Sequence, residues 1–219
     1  MPRSAAIVVY LMLLAKNRCP VQCRLNKTLG QADMNSIHIN EVTRKDARDL
    51  IAANFVNREF HAPWSSPFTD VSGFEGWFSR MLPDRNVSLV ARVSSTNEIV
   101  GVINITEIVM GVFQSAYLGY YGTSQFARQG LMTEALSLAI KYGFEDLGLH
   151  RLEANIQPGN TASLALVKKL HFVKEGFSRA YLQINGEWRD HERWALLYET
   201  VTIVLAGAGC QSVEKRIEN

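Results

Sequence analysis

Hydrophobic positions along this chain follow two rhythms, a period of two and a period near 3.6, and the switches between them mark its elements. Residues 37–42 alternate as a short strand. Thr43-Arg44-Lys45-Asp46 has the form of a capping box, and Ala47, Leu50, Ile51, Asn54 and Phe55 follow at helical spacing, so a helix runs to about Asn57. His61-Ala62-Pro63-Trp64 with Pro67 reads as a loop, and a second helix over 71–82 is closed by Pro83. Residues 87–93 and 99–108 read as strands joined by a polar turn at 94–98. The strand Ser115–Gly122 then enters a glycine-bearing turn over 126–135, which opens a helix carrying Leu131, Ala135, Leu138, Ala139 and Tyr142 on one stripe. After a further strand, Pro158-Gly159-Asn160 turns the chain into a helix with Ala162, Leu166 and Leu170 at four-residue intervals. Residues 174–184 and 187–197 form a hairpin around Asn185-Gly186. One strand, two helices, four strands give or take one, a turn, then helix, strand, helix and two strands make an α/β fold. Such an order predicts a mixed sheet with helices on both faces.

The ends depart from this pattern. Arg3 precedes an apolar run at 5–15 that is far shorter than the roughly 20 residues needed to span a bilayer. No small-x-small cleavage site follows it, and Lys16 and Arg18 arrive at once. Residues 1–33 therefore read as an extension, with Met34 as an alternative start; a targeting or membrane-surface segment and a packed element stay open. Residues 34–200 carry the domain, and 201–219 read as a tail that begins with a peripheral strand and loosens.

Composition narrows the class. At 219 residues with 47% hydrophobic and 20% charged positions, the chain fits one globular domain with a sizeable core. A net charge of +2 gives no strong electrostatic case for nucleic-acid binding and leaves a local basic patch open. The three cysteines, Cys19, Cys23 and Cys210, all lie near the termini, so no metal site is expected and the middle of the chain has no thiol nucleophile.

The chemistry-bearing stretch runs from Leu118 to Leu170. A strand that enters a turn and then a helix puts free backbone N–H groups and a positive dipole end where a pyrophosphate can sit. Within that turn only Gly130 demands special backbone freedom. Taken alone, Ala127-Arg128-Gln129-Gly130-Leu131-Met132 is better explained as a plain strand-to-helix connection, and Asn160 or Thr161 reads as a helix cap. Together with Asn155 and with Pro158-Gly159-Asn160-Thr161-Ala162-Ser163, the segment resembles the acetyl-CoA core of the GNAT acetyltransferases. Ala127 stands where that family has Arg or Gln, Met132 where it has a small residue, and His171 where its Leu-Gly-Phe corner has glycine.

The resemblance sharpens to the RimJ/RimL branch, acetylases of ribosomal-protein N-termini, and within it to the RimJ type. It is carried by residues 101–122, by Gln129-Gly130-Leu131-Met132-Thr133-Glu134-Ala135-Leu136, and by the segment 181–196 with Gly186-Glu187-Trp188-Arg189-Asp190-His191. The match covers roughly Ser36 to Tyr198. It implies a mostly antiparallel sheet splayed at the acetyl-CoA site. It also implies coenzyme contacts from Leu118, Tyr120, Tyr121, Arg128, Gln129, Gly130, Leu131, Met132, Thr133, Asn160 and Ser163. Asn160 is expected on the pantetheine arm and Ser163 where the thiolate departs.

Without a core cysteine, direct attack of an amine on the thioester is the expected reaction. It needs a neutral amine, a polarised carbonyl and a proton for the leaving group. Backbone N–H groups of residues 118–121 suit the second need and Ser163 the third; Glu107, Asp190 and His191 are candidates for the base. The branch's RimL-type glutamate is replaced by Leu182, which leaves the base open. Asp190 and His191 read equally well as part of a charged strand face, and Lys168 and Lys169 as a solvated helix face. Trp64, Tyr181 and Trp188 are candidate walls of an acceptor slot, although the two tryptophans also suit the core, and Tyr120 and Tyr121 also suit sheet packing. An α-amine titrates near ~7.8 and a lysine near ~10.4, so neutralising the α-amine costs about 3.5 kcal/mol less. That favours a protein or peptide N-terminus, and the resemblance implies a ribosomal protein beginning with alanine; a cytoplasmic monomer or homodimer is expected. A small-amine acetyltransferase and a ribosome-assembly factor that binds acetyl-CoA without turnover are the rival readings.

Overall fold

The computed structural model describes residues 36–82 and 84–201. The apolar run at 5–15, the helix-closing Pro83 and the tail at 202–219 lie outside the described residues. The chain runs β1 (Ile37–Glu41), a single 3₁₀ turn (Arg44–Asp46), α1 (Ala47–Val56), α2 (Arg58–His61), α3 (Val71–Met81), β2 (Val87–Val93), β3 (Ile99–Val109) and β4 (Ser115–Gly122). It continues through α4 (Leu131–Lys141), β5 (Arg151–Ile156), α5 (Thr161–Lys169), β6 (Val173–Ile184) and β7 (Glu187–Leu197). Three strands lie between α3 and the glycine-bearing turn, one fewer than the four expected give or take one, and His61 belongs to the short helix α2 where a loop was expected.

The seven strands form one sheet in the order β1-β2-β3-β4-β5-β7-β6, antiparallel everywhere except between β4 and β5. Helix α4 shows why one face closes. Leu131, Ala135, Leu136, Ala139 and Ile140 are buried, an i, i+4, i+5, i+8, i+9 stripe. It packs with Val167 of α5 onto Ile103, Ile105, Ala116, Leu118 and Leu152. The opposite face is covered by Leu50 of α1 and by Phe74, Trp77 and Phe78 of α3, which meet Val90 and Val102. Asp70 caps α3 by accepting the Gly73 N–H at 2.7 Å. The 3₁₀ turn is tied beneath the sheet edge, where Arg92, almost fully buried, pairs with Asp46 at 3.0 Å and Asp49 at 3.2 Å.

The parallel pair is where the sheet opens. β4 and β5 pair only at Ser115↔Arg151, Ala116↔Leu152 and Tyr117↔Glu153. From Leu118 onward β4 stays on β3, while Ala154, Asn155 and Ile156 of β5 stay on β7. The strands therefore diverge like a V that opens towards the α4 and α5 N-termini. Bulges at both borders accompany it. β3 shifts register between Thr106 and Val109, with Glu107 at a φ of 50°, and β6 shifts twice against β7.

Candidate active site

One wall of the V is the turn between β4 and α4. Arg128 has a φ of 62° and Gly130 of 81°, and this alternation turns successive N–H groups to the same side. The N–H groups of residues 128–132 find no acceptor among the described residues, whereas those of Thr133 and Glu134 already donate to the Gly130 carbonyl at 3.0 and 3.1 Å. Thr133 is thus left with its hydroxyl, not its N–H, for a ligand. A Cβ on Gly130 would meet nothing within 4 Å, so the space above the cradle is open. Five unpaired donors at the N-terminus of an eleven-residue helix fit a pyrophosphate. Met132 fills the place of the family's small residue because Gly101 and Gly122 make room for it; a Cβ on Gly101 would lie 2.9 Å from the Met132 Sδ.

The other wall is the start of α5. The Asn160 side-chain oxygen accepts the Ser163 N–H at 3.1 Å, capping the helix, while its amide N–H groups have no partner among the described residues. Capping and ligand holding thus use different ends of the same amide. The Tyr120 hydroxyl donates to the Ser163 carbonyl at 3.4 Å and ties β4 to this first turn. Burial pushes the Tyr120 phenol up to about 12, against the smaller opposing effect of that bond, so it acts as a donor throughout the neutral range. Tyr121 points to the opposite face, where Asn54 donates to its hydroxyl at 3.4 Å, and burial likewise pushes it up to about 12. Its side chain braces α1, and only its backbone faces the opening.

A third side is assembled from three distant segments. The indole of Trp64 lies against Gly159, where a Cβ would sit 3.4 Å from its Cη2, and Gln157 donates to the Trp64 carbonyl at 3.4 Å. At the tip of the β6–β7 hairpin, Asn185 donates to the Ala62 carbonyl at 3.0 Å and accepts the Ser66 hydroxyl at 2.6 Å. The segment 62–66 is thereby fastened to both the β5–α5 turn and the hairpin. His61, 4% exposed, lies at its root and donates through Nε2 to the Gly122 carbonyl at 2.8 Å. Burial holds its pKa below the ordinary value, and Nδ1 is left without a partner.

The residues expected on the acceptor side separate into two kinds. His191 is buried, with Nδ1 2.9 Å from the Arg189 carbonyl and its ring edge-on to Tyr181 at 6.1 Å. A carbonyl only accepts, so in the neutral ring Nδ1 carries the proton and Nε2 the lone pair. The Tyr117 phenol meets that of Tyr181, and this bond, with burial and the nearby Glu153 and Glu107 carboxylates, raises its pKa. By contrast, Asp190 accepts the Ala180 N–H at 2.7 Å and holds the β6 bulge. Glu107 lies 3.7 Å from Arg85 on an exposed edge. Trp188 is 64% exposed near the hairpin tip. Lys168 is placed over the Trp194 ring at 5.5 Å. Sequence reasoning passed over Tyr117 and treated His61 and Asn155 only as parts of their segments. No group of three or more His, Cys, Asp or Glu side chains that could hold a metal occurs among the described residues.

These features can be set beside known proteins. Residues 37–173 match the acetyltransferase (GNAT) domain. A ribosomal protein uS5-alanine N-acetyltransferase from Escherichia coli is 38% identical over 69% of this chain and 82% of its own length. A probable N-acetyltransferase, YjcK, from Bacillus subtilis is 30% identical over 74% of this chain and 94% of its own. Among solved structures, Mycobacterium smegmatis RimJ in complex with CoA-disulfide superposes with a TM-score of 0.70 at 26% identity, covering 78% of this chain and 89% of its own. A spermidine N-acetyltransferase from Vibrio cholerae shares the fold, with a TM-score of 0.65 at 20% identity over 74% and 96%. The splayed β4–β5 pair, the donor cradle and the capped α5 turn are thus this chain's form of a known catalytic frame, and the chain belongs to the GNAT acetyltransferases.

Proposed function

We propose that this enzyme transfers the acetyl group of acetyl-CoA to the N-terminal α-amine of a protein, ribosomal proteins beginning with alanine included. The acceptor class rests on the carboxylates of the acceptor-facing side. Glu153 is paired with Arg151 at 2.8 Å, Glu107 lies beside Arg85, and Asp190 is occupied by a backbone N–H. A polyamine needs several uncommitted acids; a single α-amine does not. The relationship to a uS5-alanine N-acetyltransferase supports the same choice. A ribosomal acceptor would place the reaction in the cytoplasm.

Acetyl-CoA supplies an activated thioester carbonyl, and the chain's own residues do the rest. The N–H groups of residues 128–132 hold the pyrophosphate, and the free amide end of Asn160 meets the pantetheine arm. Backbone N–H groups of β4 beyond Tyr117 polarise the carbonyl oxygen. Nε2 of His191 takes a proton from the amine as the C–N bond forms. The Ser163 hydroxyl gives its proton to the sulfur as the C–S bond breaks and regains one from solvent. Thiol release from acetyl-CoA with an alanine-initiated peptide tests this reading. Turnover that falls at least tenfold in Ser163→Ala, with coenzyme affinity retained, is the expected result. Turnover on spermidine alone would reassign the acceptor to small amines.

A further inference from the structure

Two buried polar side chains close to the cradle take no part in the scheme above. Asn57 follows α1 and His61 ends α2 one helical turn later, with the His61 N–H returning to the Asn57 carbonyl at 3.0 Å. An i, i+4 spacing puts both side chains on one face, and that face meets the chain where β4 ends. The Asn57 amide nitrogen donates to the Ala53 carbonyl at 2.8 Å, so its oxygen is the end that accepts the Ser124 N–H, also at 2.8 Å. His61 donates through Nε2 to the Gly122 carbonyl at 2.8 Å. Between these two bonds, the Thr123 N–H and hydroxyl return to the Val100 and Ile99 carbonyls at 3.0 Å each. Residues 122–124 are therefore pinned one after another, from α1 and α2 on one side and from β3 on the other.

The donor cradle follows directly. Its own hydrogen bonds are local: the Phe126 N–H to the Thr123 carbonyl at 3.3 Å, the Ala127 N–H to Ser124 at 3.1 Å, and the Gln129 side chain to the Gln125 carbonyl at 2.7 Å. Phe126 adds apolar packing against the core, which is non-directional. The turn thus holds its own shape but takes its place, at the β4 end, from the grip on 122–124. Packing α2 on β4 needs only apolar side chains. Burying an amide and an imidazole there is unfavourable unless their hydrogen bonds are made, and both send one to this short stretch of backbone.

We infer that Asn57 and His61 are positioning residues for the coenzyme: they clasp the start of the β4–α4 turn so that its free N–H groups are in place before the pyrophosphate arrives. Neither touches a reacting atom. The assignment rests on the acetyl-transfer reading. Because the clasp acts on the cradle, its loss is felt by acetyl-CoA and not by S-acetylpantetheine, which carries the same thioester arm without the pyrophosphate.

His61→Gln sets an amide nitrogen where Nε2 lies, whereas in His61→Asn the nitrogen reaches only as far as Nδ1, short of the Gly122 carbonyl. Asn57→Leu removes the Ser124 acceptor at similar volume. For His61→Asn and Asn57→Leu we expect the Kd for CoA to rise about 10-fold in calorimetric titration, the scale of one buried hydrogen bond. Their kcat/KM for S-acetylpantetheine with an alanine-initiated peptide should stay within about twofold of wild type, since no transition-state contact is lost. His61→Gln, which keeps the bond, should bind CoA within about twofold of wild type. Three results overturn the inference: CoA affinity unchanged in His61→Asn and Asn57→Leu; acetyl-CoA and S-acetylpantetheine losing activity in step, as a general structural role requires; or His61→Gln as impaired as His61→Asn. If Asn57→Leu shows no cooperative melting transition, the two His61 variants decide. If S-acetylpantetheine is too poor a donor to follow, the Kd for CoA decides. Wild-type enzyme that binds CoA but acetylates no peptide or small amine would instead overturn the acetyl-transfer reading, a failure that the CoA titrations distinguish from failure of the clasp.

Discussion

Gly130→Ala separates the two properties the cradle needs, a left-handed backbone and free donors. Gly130 has a φ of 81° and open space around the missing Cβ, so alanine meets no steric neighbour and the whole penalty is conformational. A side chain in the left-handed region costs about 1–2 kcal/mol. That cost can appear in two places. If the turn keeps its shape, the folded state bears the strain, and Tm falls by about 2–8 °C at 2–4 °C per kcal/mol for a chain of this size. If the turn relaxes, the competent cradle becomes a minor state and apparent affinity for acetyl-CoA falls by about 5- to 30-fold. Calorimetric titration with CoA and a melting curve on the same sample read both quantities, and together they should account for about 1–2 kcal/mol. Gly130→Asn, whose side chain tolerates left-handed backbone better, should recover most of the loss. Unchanged Tm with unchanged Kd in the alanine variant would refute the reasoning.

Three further outcomes follow from single contacts. His171 closes α5 at a φ of 65°, with the His171 and Phe172 N–H groups returning to Lys168 and Val167, a corner that glycine suits better. His171→Gly should therefore add up to about 1 kcal/mol, raising Tm by ~2–4 °C in a melting experiment. Burial of His61 holds its folded-state pKa below the ordinary 6.5, against the weaker effect of its bond to Gly122. The unfolded chain then takes up a proton first, so this contribution is complete above about pH 6.5 and is lost as pH falls below it. Melting curves from pH 7.5 to 5.5 should show a steeper decline for wild type than for His61→Gln. Asn185→Gly keeps the positive-φ turn but removes both bonds to the 62–66 segment. Steady-state kinetics should show a peptide KM several-fold higher with acetyl-CoA binding unchanged.

Much of the frame was legible because periodicity is a local signal. The α4 stripe, the Val71–Met81 helix and the Asn185-Gly186 hairpin emerge where the residues indicate, within a residue or two. Asn160 and Ser163 were legible as a pair through the resemblance to the family's Asn-x-x-Ser motif, with a helix cap at Asn160 or Thr161 as the other reading, and Asn160 does cap the helix. Long-range compensation was not legible. Met132 looks wrong for a pyrophosphate turn until Gly101 and Gly122, on two other strands, are found to hold its side chain. Asp190 looks like a free acid until the β6 bulge brings the Ala180 N–H to it. His61 looks like part of a proline-rich loop because the strand whose carbonyl it meets lies about sixty residues away. Asn155 was legible only as part of its segment; that its side-chain oxygen lacks a partner was not, since an unpaired atom is defined by what fails to reach it.

The central claim concerns which nitrogen is acetylated, and one peptide can decide it. A substrate beginning with alanine and carrying an internal lysine offers both amines to the same active site; incubated with acetyl-CoA and equimolar spermidine, it can be read by tandem mass spectrometry. The account predicts a single acetyl group on the alanine α-amine, with lysine and spermidine unmodified while most of the peptide is converted. Acetylation of the lysine side chain or of spermidine ahead of the α-amine would contradict it.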